Sequence, residues 1–170
     1  MKAIELVRWA MQMSDEATAR LVADMRDAPL TQPMPGVGSG GNHPLWILGH
    51  LAVIEGGIAQ IFFGAEGAKN PVEHWWPLFG PGTEPKPDAS LYPSFDEVLS
   101  TYRQLRARNL TLLEEIGDAG LDRVPKDVPP GFEDAMKTFG QTLMLIALHN
   151  MVHYGQIADA RRAAGYKPLM

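Results

Sequence analysis

From Thr138 to Ala158 the chain runs without a single Asp, Glu, Lys or Arg. A helix so poor in charge has to be surrounded, by protein or by lipid. Gln141, His149, Asn150, His153 and Gln156 lie within it, and hydrocarbon disfavours such side chains. It is the one stretch in this sequence that mimics a membrane span, and its polar residues make it a core helix instead. Pro44 to Phe63 has the same character, with Glu55 as its one charge. The two other helical stretches differ sharply, carrying nine and seven charged residues. Two charge-poor helices flanked by two charge-rich ones predict a helical bundle with the poor pair most deeply buried.

Periodicity sets the elements. Ile4, Val7, Met11, Leu21, Val22 and Met25 recur by threes and fours, which predicts a first helix over about Lys2–Asp27, ended by Pro29. A Pro/Gly-rich loop follows from Pro33 to Gly41. The second helix takes Asn42 or His43 as its cap, with Pro44 in the first turn, and runs to Phe63 before Gly64. Ser94-Phe-Asp-Glu97 opens the third, which ends near Gly117, and Thr138-Phe-Gly-Gln141 opens the fourth, which runs to Ala164 and stops at Gly165. No strand pattern competes. The expected fold is all-α, a four-helix bundle forming one domain over residues 1–170. A long loop, Gly64–Pro93, joins helices two and three, and Asp118–Lys137 connects three to four.

Composition narrows the chemistry. Fifteen Lys and Arg against twenty Asp and Glu leave a net charge of −5 with no basic run, so nucleic acid is not an expected partner. There is no cysteine, which excludes disulfides, thiolate metal sites, iron–sulfur clusters and a protein thiol nucleophile. Glu5 and Arg8 interrupt the apolar run that a targeting signal needs. The expected setting is cytoplasmic, without a membrane.

Three of the five histidines lie on the two charge-poor helices. His149 and His153 are four apart, so both rings project from one side of the last helix, one turn above the other. Leu145, Val152 and Ala160, with Gln156, are read as sharing that inward face. His50 falls within the stripe Ile47, Leu51, Ile54, Ile58, Ile61 of the second helix. One such pair is a common accident of sequence, and a lone buried histidine is usually a hydrogen-bonded core residue. Three inward imidazoles would each need polar partners, whereas one shared metal ion satisfies all three. Imidazole ligands suit zinc, nickel, iron or copper.

The segment Leu148-His-Asn-Met-Val-His-Tyr-Gly-Gln-Ile-Ala-Asp-Ala-Arg-Arg-Ala-Ala-Gly165 resembles the last-helix signature of the DinB/YfiT-like metalloenzymes: HxxxH, then Gly-Gln, a basic pair and Gly. Trp46-Ile-Leu-Gly-His50-Leu-Ala resembles their second-helix motif. The resemblance implies a DinB-like bundle with His50, His149 and His153 as metal ligands, and a zinc, nickel or iron ion. It also implies a low-molecular-weight thiol cosubstrate transferred to a small electrophile, and a homodimer. The loop around His74-Trp-Trp76 departs from the family pattern.

Two other functions stay open: a metal-dependent hydrolase of a small substrate, and a non-catalytic, stress-related metal-binding bundle. A fourth inward ligand, Glu55, His43 or His74, would favour the latter. The expected pocket residues are His43, His74, Trp75, Trp76 and Gln156, each with a structural alternative: a helix cap, a surface residue, a loop anchor, a core hydrogen bond. Arg161 or Arg162 would meet an anionic group of the thiol or simply complement the helix dipole. Arg103, Arg106 and Arg108 read as a solvated face.

Overall fold

A computed structural model describes residues 2–32 and 41–169; most of the Pro33–Gly41 loop lies outside them. The described residues form five helices and no strand: α1 (Ala3–Val22), α2 (Pro44–Phe63), α3 (Trp76–Phe79), α4 (Phe95–Gly120) and α5 (Phe139–Ala163). The four long helices are those expected from periodicity. The fifth, a single turn, lies in the stretch read as an uninterrupted loop, together with 3-10 turns at Glu73–Trp75 and Ala89–Leu91.

Each long helix packs on two others, α1 on α5 and α4, and α2 on α4 and α5. Named contacts give their directions. Phe62 near the end of α2 stacks on Phe139 at the start of α5, with ring centroids 3.8 Å apart, while His50 meets His149 and His153 further along. These two helices are therefore antiparallel. Helices α2 and α4 run parallel, since Leu45–Leu51 cluster with Val98 and Tyr102, and Ile58 and Phe62 with Leu113. Parallel neighbours need a connection as long as the bundle. That requirement explains the length of 64–93, which climbs back along α2.

Two glycines let it lie close. A Cβ on Gly49 would sit 2.3 Å from the Phe79 ring, and one on Gly56 2.2 Å from Asn70 Oδ1. Asn70 Nδ2 donates to the Val53 carbonyl, 3.1 Å away.

The caps follow the sequence signals. Trp46 N–H donates to His43 Nδ1 (3.0 Å), Glu97 N–H to Ser94 Oγ (3.2 Å) and Gln141 N–H to Thr138 Oγ1 (3.2 Å). Beyond α5, Gly165 takes φ +85, with Tyr166 N–H bonded to Arg161 O and Gly165 N–H to Arg162 O. This is a Schellman stop. Regular helix in α4 breaks at Gly117, φ +65, where the sequence placed its end.

Three expectations need correction. Helix α1 ends at Val22, not Asp27, because Arg161 Nη1 donates to the Leu21 carbonyl (3.0 Å) and the guanidinium grips Asp24. The Leu21 carbonyl, which a further turn would have used, is thus satisfied from α5, and those of Arg20 and Val22 accept from Ala23 and Met25 in tight turns. The inward face of α5 reads Thr142, Leu143, Ile146, Ala147, Asn150, His153, Ile157, Ala160. Val152, expected inside, is 64% exposed, and Leu145 is only half-buried. A helix that is apolar on every side leaves periodicity nothing to choose by. Finally, among the described residues the helix long and apolar enough to cross a membrane is α2, and most of it is buried inside the bundle.

Candidate metal centre

His50 on α2 and His149 and His153 on α5 converge as the sequence predicts. His149 Nε2 lies 3.3 Å from His50 Nε2 and 3.1 Å from His153 Nε2. All three ligand atoms fall within 4.8 Å of one another.

What their other nitrogens do decides the chemistry. Among the described residues, the hydrogen-bond partner of His50 Nδ1 is the Phe79 carbonyl at 2.8 Å, an acceptor, so Nδ1 carries the proton and Nε2 a lone pair. Gln156 Oε1, 2.8 Å from His153 Nδ1, fixes that ring in the same tautomer. Two lone pairs thus point at His149 Nε2, whose single proton can satisfy only one of them. His149 Nδ1 is buried with no hydrogen-bond partner among the described residues. A cation at the centre removes this mismatch, since it takes all three lone pairs together. The spacing suits one: two imidazole nitrogens about 2.0–2.1 Å from a tetrahedral ion sit about 3.3–3.4 Å apart. Carbonyl and amide acceptors on the far nitrogens are the outer support that metal-bound histidines ordinarily have.

Electrostatics agrees. Burial holds the His50 imidazole down to about 4, against the pull of the Phe79 carbonyl. Burial, with the neighbouring rings, lowers His149 to about 4 as well, and burial lowers His153. The rings are neutral near pH 7, which is the ligating form.

No fourth protein ligand joins the cluster among the described residues. Glu55 turns away, its Oε1 2.6 Å from Arg106 Nη2 and its Oε2 2.6 Å from Asn109 Nδ2. His43 is buried at the cap of α2, its Nε2 donating to the Lys86 carbonyl (2.9 Å). His74 is exposed on the turn before α3. The group that remains is three histidines, two buried and one half-buried.

The other expected residues divide. Gln156 belongs to the site through His153. Trp75 is a loop anchor, buried against Phe79 with ring centroids 5.6 Å apart. Trp76 is 47% exposed and folds over Gly80. Arg161 is spent on Asp24 and Leu21, and Arg162 pairs with Asp159. The Arg161 guanidinium is committed to these partners, whereas the Arg162–Asp159 pair is exposed on both sides. Arg106 is no solvated residue: it is 1% exposed. A cleft of about 320 Å³ between Leu30, Leu45, Tyr92 and Phe95 does not border the histidines.

Sequence reasoning missed the partners that are not titratable. Trp46 stacks on His50 with centroids 4.8 Å apart and planes 8° from parallel, and the Phe79 carbonyl comes from the stretch read as loop. A backbone acceptor leaves no residue signature. Gly49 does, because only a glycine there admits the Phe79 ring. Gly49→Ala should therefore lower stability by about 1–3 kcal/mol through overpacking. By displacing the Phe79 carbonyl it should also weaken metal binding about 10–100-fold. Urea unfolding and a cobalt titration check the two effects; unchanged cobalt affinity would show that the carbonyl does not orient His50.

The family model of the DinB superfamily matches residues 10–157 of the chain. No curated protein matches it.

Proposed function

The chain belongs to the DinB superfamily, and from that premise we propose that it is an enzyme dependent on a divalent metal ion held by His50, His149 and His153. In this reading it transfers a low-molecular-weight thiol to a small electrophile. The observation that carries the metal is the clash of lone pairs: Phe79 and Gln156 fix two Nε2 atoms as acceptors, and both face a third nitrogen. The observation that favours catalysis over a structural staple is the failure of Glu55, His43 and His74 to close the site. Structural sites in proteins are normally four-coordinate, and catalytic ones keep a position open.

A divalent ion in such a site acidifies a coordinated thiol or water and so supplies a nucleophile near pH 7. The chain's own residues do the rest. Phe79 and Gln156 hold the tautomers, and Trp46 covers one face of His50. With no cysteine anywhere in the sequence, a reacting sulfur has to come from the cosubstrate. Zinc, nickel and iron all suit three imidazoles. A cytoplasmic setting and a homodimer belong to the same proposal. The dimer draws support from Leu6, Trp9 and Met13 on α1, each about half exposed at 45%, 58% and 47%.

The test pairs elemental analysis of the purified protein with thiol consumption in the presence of an electrophile such as chlorodinitrobenzene. Metal-loaded protein should accelerate conjugation, and His50→Ala protein should not. Equal rates with and without metal across a panel of thiols would remove the transferase reading. Metal-dependent cleavage of esters or amides in the absence of thiol would put a hydrolase in its place.

A further inference from the structure

Each long helix carries a buried polar group where its two stretches of apolar core meet. One apolar cluster gathers Leu21, Leu51, Val98 and Ile157, the other Met11, Ile58, Leu113 and Phe139. Between them stand Thr18 on α1, Glu55 on α2, Arg106 and Asn109 on α4, and Asn150 on α5, each at most 2% exposed. Buried polar groups are costly unless bonded to one another. A layer of them therefore favours the one alignment of the helices in which its members meet, the best-attested use of polar groups in a core.

Asn150 ties the last helix into that layer. Thr18 Oγ1 on α1 donates to its Oδ1 (2.7 Å), and its Nδ2 donates to Tyr102 Oη on α4 (2.5 Å). All three side chains are fully buried. Among the described residues, one other side chain of α5 outside the histidine cluster hydrogen-bonds a different helix: Arg161, with the Leu21 carbonyl. It reaches its partner through a long, adaptable side chain, whereas the amide of Asn150 is short and held at both ends.

Apolar packing does not make this choice in its place. On α5 Leu148, Met151 and Val152 are exposed while Leu143, Ile146 and Ile157 are buried, and hydrophobic cores accept either kind of residue when volume is kept. Tolerance at the histidines is narrower. A slip of one residue moves each ring by about 1.5 Å along the helix and turns it by about 100°, whereas a binding constellation must be held within about 0.5 Å.

We propose that Asn150, held by Thr18 and Tyr102, is the positioning residue that sets the rotation and register of α5, and so brings His149 and His153 to His50. Asn150 follows His149 directly and shares the inward face of α5 with His153, three residues on. The inference rests on the metal-centre reading above and adds to it a residue that acts through the helix, not at the ion.

The test reads the affinity and visible bands of bound cobalt, so that no turnover is needed. Wild-type and His149→Ala proteins are titrated first. If the wild type binds no cobalt, or His149→Ala binds it as tightly, the metal reading fails and takes this inference with it. A Thr18→Val, Asn150→Leu double variant then removes donor and acceptor together, which leaves stability nearly unchanged, and Tyr102 keeps Arg106 beside it. The double variant should unfold cooperatively in urea near the wild-type midpoint. Its cobalt affinity should nevertheless fall about tenfold or more, the scale of loss when a metal's supporting residues are removed, and its bands should change shape. Thr18→Ser, which retains the hydroxyl, should keep both the affinity and the bands of the wild type. A folded double variant with unchanged affinity and bands overturns the inference and spares the metal centre. So does Thr18→Ser protein that binds cobalt as weakly as the double variant. A double variant that does not fold also overturns it, since the layer would then supply stability and not alignment.

Discussion

Replacing His153 or His149 with alanine should abolish stoichiometric metal binding, lowering affinity by a hundredfold or more, whereas His43→Ala and His74→Ala should leave it intact. A site of three ligands has none to spare, and the distances make each nitrogen a neighbour of the other two. His43 and His74 are occupied elsewhere, as cap and as exposed turn residue. Elemental analysis after dialysis against one equivalent of chelator decides it; full occupancy in His149→Ala would end the three-histidine reading. The metal-free protein offers an independent check. Its His50 and His149 are depressed to about 4, below the unfolded value near 6.5. Protons therefore bind the unfolded chain first, so the stability present above pH 6.5 is lost as pH falls through the folded values near 4. A His50→Gln, His149→Gln double variant should show a flatter loss over that window. Parallel urea midpoints from pH 7 to pH 4 would contradict it.

The parts of this structure that were legible in the sequence are those that depend on local chemistry. Gly64, Ser94, Thr138 and Gly165 mark helix ends because backbone groups there need a particular side chain or a positive φ, and each stands where it was expected. The His149–His153 pair was legible because four residues make one turn. Facing was harder. On α5 the exposed Leu148, Met151 and Val152 are as apolar as the buried Leu143, Ile146 and Ile157, so the sequence contains no contrast from which to orient the helix. The early end of α1 is set by Arg161, more than a hundred residues away, and no local signal announces it. Arg106 is the instructive miss. It sits four residues after Tyr102 and three before Asn109, both fully buried, and so on an inward face that Val98, Leu105 and Leu113 already outline. Reading arginine as a surface residue outweighed its position.

Losing that arginine should cost more than losing any surface charge. The Glu55–Arg106 pair is 2% and 1% exposed, and removing one partner of such a pair strands the other charge in the core, at about 3–5 kcal/mol. The two removals are not equivalent. Arg106 Nη1 also approaches the Met11 carbonyl (3.4 Å), and the Asp15 carboxylate, one oxygen buried without a partner among the described residues, lies within its field. Arg106→Leu therefore leaves two carboxylates without a cation. Glu55→Leu leaves Arg106 with Asp15, and Asn109 Nδ2 keeps its bond to the Glu55 backbone carbonyl (2.9 Å). The expected order is that Arg106→Leu is the worse by about 1 kcal/mol or more, with the double Leu variant recovering much of the loss because both desolvation costs disappear together. Acid should narrow the gap. Burial raises the Glu55 carboxyl above its ordinary range despite Arg106, so in Arg106→Leu protein that group takes up a proton early and sheds its unpaired charge. Urea unfolding at pH 7 and pH 5 measures all four proteins, compared at constant m. Singles within 0.5 kcal/mol of wild type, or a double variant as unstable as their sum, would mean that water reaches this pair and that the core of the bundle is wetter than its side chains imply.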